Sequence, residues 1–226
     1  MVDVINYISS LCKTLNASFG ERVMFVGLQG SYGRDEAGPN SDIDAVVILD
    51  TLMPEDLRTY DAILNELPHR ELACGFISGK DELLHWDAAD LFQFYHDTTP
   101  VIGSLDFLLP ILGADAAERA VATGACAIYH ACVHNLLHEK DPEILRGLYK
   151  SAVFIVQAVH CCRTGQYVRR HNDLLSVVSE PERTILQTAL AVKYNKTMPA
   201  EQFIPLSDVL FQWTQALIQK GVSEDG

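Results

Sequence analysis

Residues 30–44 are Gly-Ser-Tyr-Gly-Arg-Asp-Glu-Ala-Gly-Pro-Asn-Ser-Asp-Ile-Asp. An apolar run, Val23 to Leu28, comes before them, and a second, Ala45 to Leu49, comes after. Two such runs joined by a turn rich in Gly, Pro and Asn predict strands over about 22–28 and 43–49. Side chains at i and i+2 of a strand share a face, so Asp42 and Asp44 project to one side and Ile43 to the other. A carboxylate pair at a strand start, beside a Gly-Ser turn, suits a divalent cation that itself holds phosphate oxygens.

Moving outward, Val4, Ile5, Ile8, Leu11 and Leu15 recur at helical spacing and predict an amphipathic helix over residues 2–16. Ser31 can begin a short helix. Pro54, with acids in the turn that follows, starts a helix to about Leu67, and Pro68 ends it. A third strand is expected over 71–77, closed by Ser78-Gly79. Residues 80–113 are irregular, with a helix at 87–96 and a break at Thr98-Thr99-Pro100. From Asp115 the pattern changes to long helices at 115–139, 143–163, 181–195 and 206–220, and Ser223 to Gly226 are expected to be disordered. The fold class is α+β: a small mixed sheet flanked by helices over residues 1–110, then an all-helical bundle over 111–226.

Gly30-Ser31 followed by Ser41-Asp42-Ile43-Asp44 resembles the signature of the nucleotidyltransferase superfamily, whose fold is that of DNA polymerase beta. The spacing matches its minimal and small-molecule, aminoglycoside adenylyltransferase-like members. One departure is Asp35, where the family often has Gly. The resemblance implies an enzyme that uses Mg²⁺, in a two-metal site, with ATP or another nucleoside triphosphate as co-substrate. Asp42 and Asp44 are the expected metal ligands, with two ions about 3.5–4 Å apart. Gly30 and Ser31 are expected at the β and γ phosphates through backbone amides and a hydroxyl, and Arg34 within reach of the triphosphate. The stretch from Glu71 to Trp86 is similar to the region that supplies a third acid in adenylyltransferases. It makes Glu71 the expected third ligand or general base, with Glu66 and Asp81 as fallbacks. Lys150, and Arg170 of the cluster Arg169-Arg170-His171, resemble basic residues of the family's helical domain that contact the triphosphate.

A formal net charge of −13 argues against broad binding to a nucleic-acid backbone, which needs clustered Lys and Arg. It is compatible with a cationic small-molecule acceptor. The six cysteines show no framework spacing and no Cys-x-x-Cys, so reduced core thiols of a cytoplasmic protein are expected. No run of about 18 apolar residues predicts a membrane span, and Met1 to Asn6 lack the pattern of a secretory signal. Cys126, His130, His134 and His138 share one helix face, more as a polar stripe than as a metal site, because His-Glu-x-x-His is absent. Tyr95-His96-Asp97 are candidates for lining a cleft. The apolar helical surface in 115–163 would allow a homodimer.

The leading functional expectation is transfer of a nucleoside monophosphate, AMP from ATP, to a hydroxyl of a small molecule such as an antibiotic. Two alternatives stand beside it: a protein AMP-transferase of the toxin–antitoxin type, and a nucleotide-binding module without turnover.

Overall fold

The computed structural model describes residues 2–39, 41–194 and 200–222. Ser223 to Gly226, expected to be disordered, lie outside the described residues. The chain divides into two compact units, Met1–Asp87 with Phe94–Gly113, and Ala88–Gln93 with Ala114–Gly226.

In the first unit, helix α1 (Val4–Phe19) starts where Asp3 accepts a hydrogen bond from the Asn6 amide at 3.1 Å. Its buried stripe is Tyr7, Ile8, Leu11, Leu15 and Phe19. Strand β1 (Val23–Leu28), helix α2 (Gly30–Gly33), strand β2 (Ile43–Leu49) and helix α3 (Pro54–Glu66) follow. Asp56 in the first turn of α3 accepts from the Met53 amide at 2.8 Å, one half of a capping box. The same carboxylate receives both terminal nitrogens of Arg22, at 2.9 and 2.7 Å. Strand β3 (Ala73–Gly79), helix α4 (Lys80–Leu84), helix α5 (Ala88–Asp97) and strand β4 (Thr99–Ile102) complete the order. The first part of α5, Ala88–Gln93, groups with the second unit.

The sheet is mixed and four-stranded, in the order β3-β2-β1-β4. β1 pairs antiparallel with β2 and β4, and β2 pairs parallel with β3. One face carries Val26, Leu28, Ile43, Ala45, Val47 and Leu49, which form one core with α1 and with Tyr60 and Ile63 of α3. The alternation of β2 sends Asp44 to the other face.

Two expectations about this unit need correction. The third strand begins at Ala73 and not at Glu71, because Arg70–Leu72 form a 3₁₀ turn. Thr98-Thr99-Pro100 is not a break: Thr99 and Pro100 open β4, an edge strand, where a residue without an N–H is tolerated.

The second unit is helical: α6 (Ala116–His134, extended by a π turn over Asn135–Glu139), α7 (Pro142–Thr164), α8 (His171–Val177), α9 (Glu182–Tyr194) and α10 (Ala200–Lys220). α6 packs on α7 and α10, and α7 on α9. The buried Asn135 side chain bonds both the amide and the carbonyl of Asp141, each at 2.9 Å, which closes the turn into α7. Buried Glu182 accepts from Arg163 at 2.9 Å and from the Trp213 indole at 3.2 Å, joining α7, α9 and α10. α8 lies in a stretch without helical periodicity, and α10 starts earlier than expected, with Pro205 inside it. Ala116–Glu139 also has the length and mean hydropathy, 1.2, of a membrane span, against the expectation that no segment does. An apolar helix of a bundle has the same composition, and this one packs on α7 and α10 with 28% of the apolar window buried.

Candidate active site

The turn after β1 is bound to the start of β2. The Gln29 amide donates to the Asp44 carbonyl at 2.8 Å, and its side chain donates to Thr98 at 2.8 Å. Gly30 then takes a φ of 63°, in the left-handed region. A Cβ at this position would lie 1.9 Å from Asp44 Oδ2. The carboxylate therefore occupies the space that any other residue at position 30 would fill. The Gly33 amide closes on the Gln29 carbonyl at 3.0 Å and the Arg34 amide on the Gly30 carbonyl at 3.1 Å. The amides of Gly30, Ser31 and Tyr32 come before these first helical bonds, so the helix itself offers them no acceptor. Asp35, the departure from the family pattern, has a φ of 57°. The turn keeps the left-handed backbone for which Gly is usual, and uses a residue type that tolerates it.

Asp44 is half-buried and Asp42 exposed. Burial, and then the nearby charge of Asp42, push the Asp44 carboxyl above the usual carboxylate range. A hydrogen bond from Cys74 and the charge of Arg34 pull it partly back. In the parallel register Cys74 stands directly beside Asp44, and its thiol is raised by burial and by Asp44. Cys74 is exposed, and all six cysteines are free. Only the pairing register of β3 with β2 brings Cys74 beside Asp44, and a register between strands 30 residues apart is not a local pattern of the sequence.

Glu71 lies in the 3₁₀ turn before β3, with a largely exposed carboxylate 3.7 Å from His69 Nδ1. Among the described residues no three His, Cys, Asp or Glu side chains stand close enough to hold one ion, so Glu71 is not brought to the pair. Arg34 is buried, with its guanidinium 3.0 Å from Asp97 and 3.4 Å from Glu36. Those contacts turn the side chain inward, and Arg34 reaches the site as a nearby positive charge. Asp97, from the candidate group Tyr95-His96-Asp97, is thereby a structural partner, while Tyr95 donates to Asp106 at 3.0 Å.

Lys150 and Arg170 belong to the second unit, both exposed. Arg170 precedes α8 in a loop tied to α7 by the buried Gln157 amide, which donates to the carbonyls of Val168 and Arg169 at 3.0 and 3.1 Å. Cys126, His130, His134 and His138 form an exposed stripe on α6 and its π turn. The rings of His134 and His138 lie 4.9 Å apart, and His134 is 4.0 Å from Glu139.

The Gly-Ser turn bound to an Asp-x-Asp strand start coincides with a match to a family described as nucleotidyltransferase domain, over residues 8–95. The chain carries a nucleotidyltransferase domain. Among solved structures, this nucleotidyltransferase is similar to the spectinomycin adenyltransferase AAD(9) from Enterococcus faecialis, solved with ATP and spectinomycin. The TM-score is 0.56 at 14% identity, covering 91% of this chain and 98% of that one, a likeness of fold across both units. No curated protein matches the sequence significantly.

Proposed function

We propose that this nucleotidyltransferase moves AMP from ATP to a hydroxyl of a small molecule, with a divalent cation held by Asp42 and Asp44. The observation that carries the reading is Asp44 seated against Gly30 near the start of β2, with the charge of Asp42 near enough to raise its carboxyl. The pair fits a cation: Asp44 is raised by burial and by Asp42, the repulsion that a shared positive charge relieves. Its hard oxygens suit Mg²⁺. When bound, that ion would neutralise charge on the triphosphate and on the acceptor oxygen. With two protein carboxylates at the pair among the described residues, the remaining coordination would come from phosphate oxygens and water.

The chain's own residues supply placement. Gly30 lets the backbone approach a phosphate, and the amides of Gly30 and Ser31 with the Ser31 hydroxyl offer donors to its oxygens. The buried Arg34–Asp97 pair holds the turn rigid beneath them. Lys150 and Arg170 are the second unit's candidates for the outer phosphates. In the reaction the acceptor oxygen bonds to the α-phosphorus, the bond to the bridging oxygen breaks, pyrophosphate departs, and the acceptor proton passes to solvent or a base. The fold-level neighbour carries spectinomycin beside ATP, and the acidic balance of this chain suits a cationic acceptor of that kind.

The test is pyrophosphate release from ATP, GTP, CTP and UTP with hydroxylated cationic compounds, spectinomycin among them. Acceptor-dependent release with ATP is expected to exceed release with the other nucleotides. Mg²⁺-dependent ATP binding without release, across the whole panel, would leave a binding module as the better account.

A further inference from the structure

The second unit contains a cavity of about 590 Å³ that the donor chemistry at Asp42 and Asp44 does not use. All of its lining residues belong to that unit, and its volume lies within the roughly 300–1,000 Å³ typical of small-molecule sites. The floor is one face of α6, where Ala120, Gly124, Ala127 and Ala131 follow helical spacing and leave a flat surface without long side chains. α6 and α7 meet closely at the back, where a Cβ on Gly124 would lie 2.9 Å from Ile155 Cγ1. Leu148, Phe154 and Ile155 of α7 form the apolar wall. Phe92 and Tyr167 pack edge to face, their ring centroids 5.7 Å apart, and add an aromatic wall to the lining. Thr123 and Ser151 supply hydroxyls, and Gln93 an amide.

The charge of the lining selects among ligands. Asp90, exposed on the first turn of α5, is its single charged group, and no Lys, Arg or His lines the cavity among the described residues. A nucleotide triphosphate would find no cation here. A flat ring system gains from the small-residue floor and the aromatic wall, and an amine on such a ring meets Asp90.

We propose that this cavity is a binding site for a flat, largely apolar small molecule that carries an amine. Unlike the nucleotide reading, it does not depend on the Asp42–Asp44 pair. It predicts a ligand chemistry distinct from that of phosphates, on residues that take no part in the Gly-Ser turn.

The experiment titrates the full chain with aminoacridine, followed by its fluorescence, with uncharged acridine and anionic anilinonaphthalene sulfonate as comparison probes. Saturable binding of one aminoacridine per chain is expected, unchanged by saturating ATP. Ala127→Phe fills the floor from an exposed position and should weaken binding at least about tenfold. Asp90→Asn should weaken aminoacridine and leave acridine unaffected. If Ala127→Phe fails to fold, Thr123→Leu narrows the same space from another exposed position. The proposal is overturned if a variant with wild-type melting temperature binds the probe as well as the parent does. It is equally overturned if ATP displaces the probe, or if the sulfonate binds as tightly as the amine. Loss of ATP binding in Asp42→Asn with probe binding intact would separate this site from the nucleotide reading.

Discussion

The two faces of β2 at its start do opposite work with adjacent residues. Ile43 is fully buried and belongs to the core that the sheet shares with α1 and α3. Asp44, one residue later, turns to the other face, half-buried against Gly30 and beside Cys74, with its carboxyl raised. The first face lowers the free energy of folding through apolar burial. The second holds a carboxylate in surroundings that oppose its charge. A strand alternates, so stability and a charged site can share one seven-residue segment without sharing a side chain.

The most forceful way to break this contrast is to change one face at a time. Asp44→Asn and Asp42→Asn should lower transfer at least about a hundredfold, because several kcal/mol of transition-state charge stabilisation go with the pair. Their melting temperatures should stay near or above the parent's. Ile43→Ala should do the reverse, costing about 2–5 kcal/mol of stability while kcat/KM per folded molecule stays close to wild type. Denaturant unfolding alongside pyrophosphate release reads both quantities. An Asp44→Asn protein as unstable as Ile43→Ala would show that the open face is structural after all. Gly30→Ala comes next in size. Its methyl must displace the Asp44 carboxylate, and its left-handed φ costs about 1–2 kcal/mol. It should therefore lose both activity, by more than about tenfold, and stability, joining the two faces in one variant.

A smaller effect separates Asp44 from Asp56 by pH. The Asp44 carboxyl is raised in the folded chain, so the folded state binds the extra proton and stability falls as pH rises through that range. Asp56 is lowered, first by its hydrogen bonds from Arg22 and then by the Met53 amide, so its contribution is present at neutral pH and lost as pH falls. Without divalent cations, the melting temperature of Asp44→Asn should exceed the parent's at neutral pH, by a few degrees for about 1 kcal/mol, and the gap should close on acidification. Asp56→Asn should show a deficit at neutral pH that closes on acidification. Adding Mg²⁺ should raise the parent and leave Asp44→Asn unmoved.

What was legible in the sequence followed from short-range periodicity. Residues 43–49 and 54–66, the stripe of α1 and the change to helices after Asp115 all rest on local alternation or helical spacing. The elements missed depend on neighbours. Pro100 is compatible with a strand only because β4 lies at the sheet's edge, a fact of topology. α8 is short and flanked by polar residues, with only His171 and Leu174 buried in it. The site divides in the same way. That Asp44 faces away from the core residue Ile43 follows from alternation alone. That Cys74 stands beside Asp44, and that Asp97, 63 residues on, holds Arg34, are long-range facts that no local pattern encodes.

The smallest expected effect tests the residue that the strand boundary displaced. Had β3 begun at Glu71, the carboxylate would have opened a strand that runs parallel to β2, beside the pair. Instead Arg70–Leu72 form a turn, and Glu71 points to solvent near His69. An exposed polar contact of this kind contributes about 0–1 kcal/mol, and among the described residues no third carboxylate stands with Asp42 and Asp44. Glu71→Gln should therefore leave kcat/KM within about threefold, a change below 1 kcal/mol in the barrier, and leave the Mg²⁺ dependence of the melting temperature unaltered. A loss of a hundredfold would mean that the turn rearranges when nucleotide binds and delivers Glu71 to the pair. The charged face of β2 would then extend across β3, and the division between the two faces would be drawn at the turn before β3 and not at Asp44.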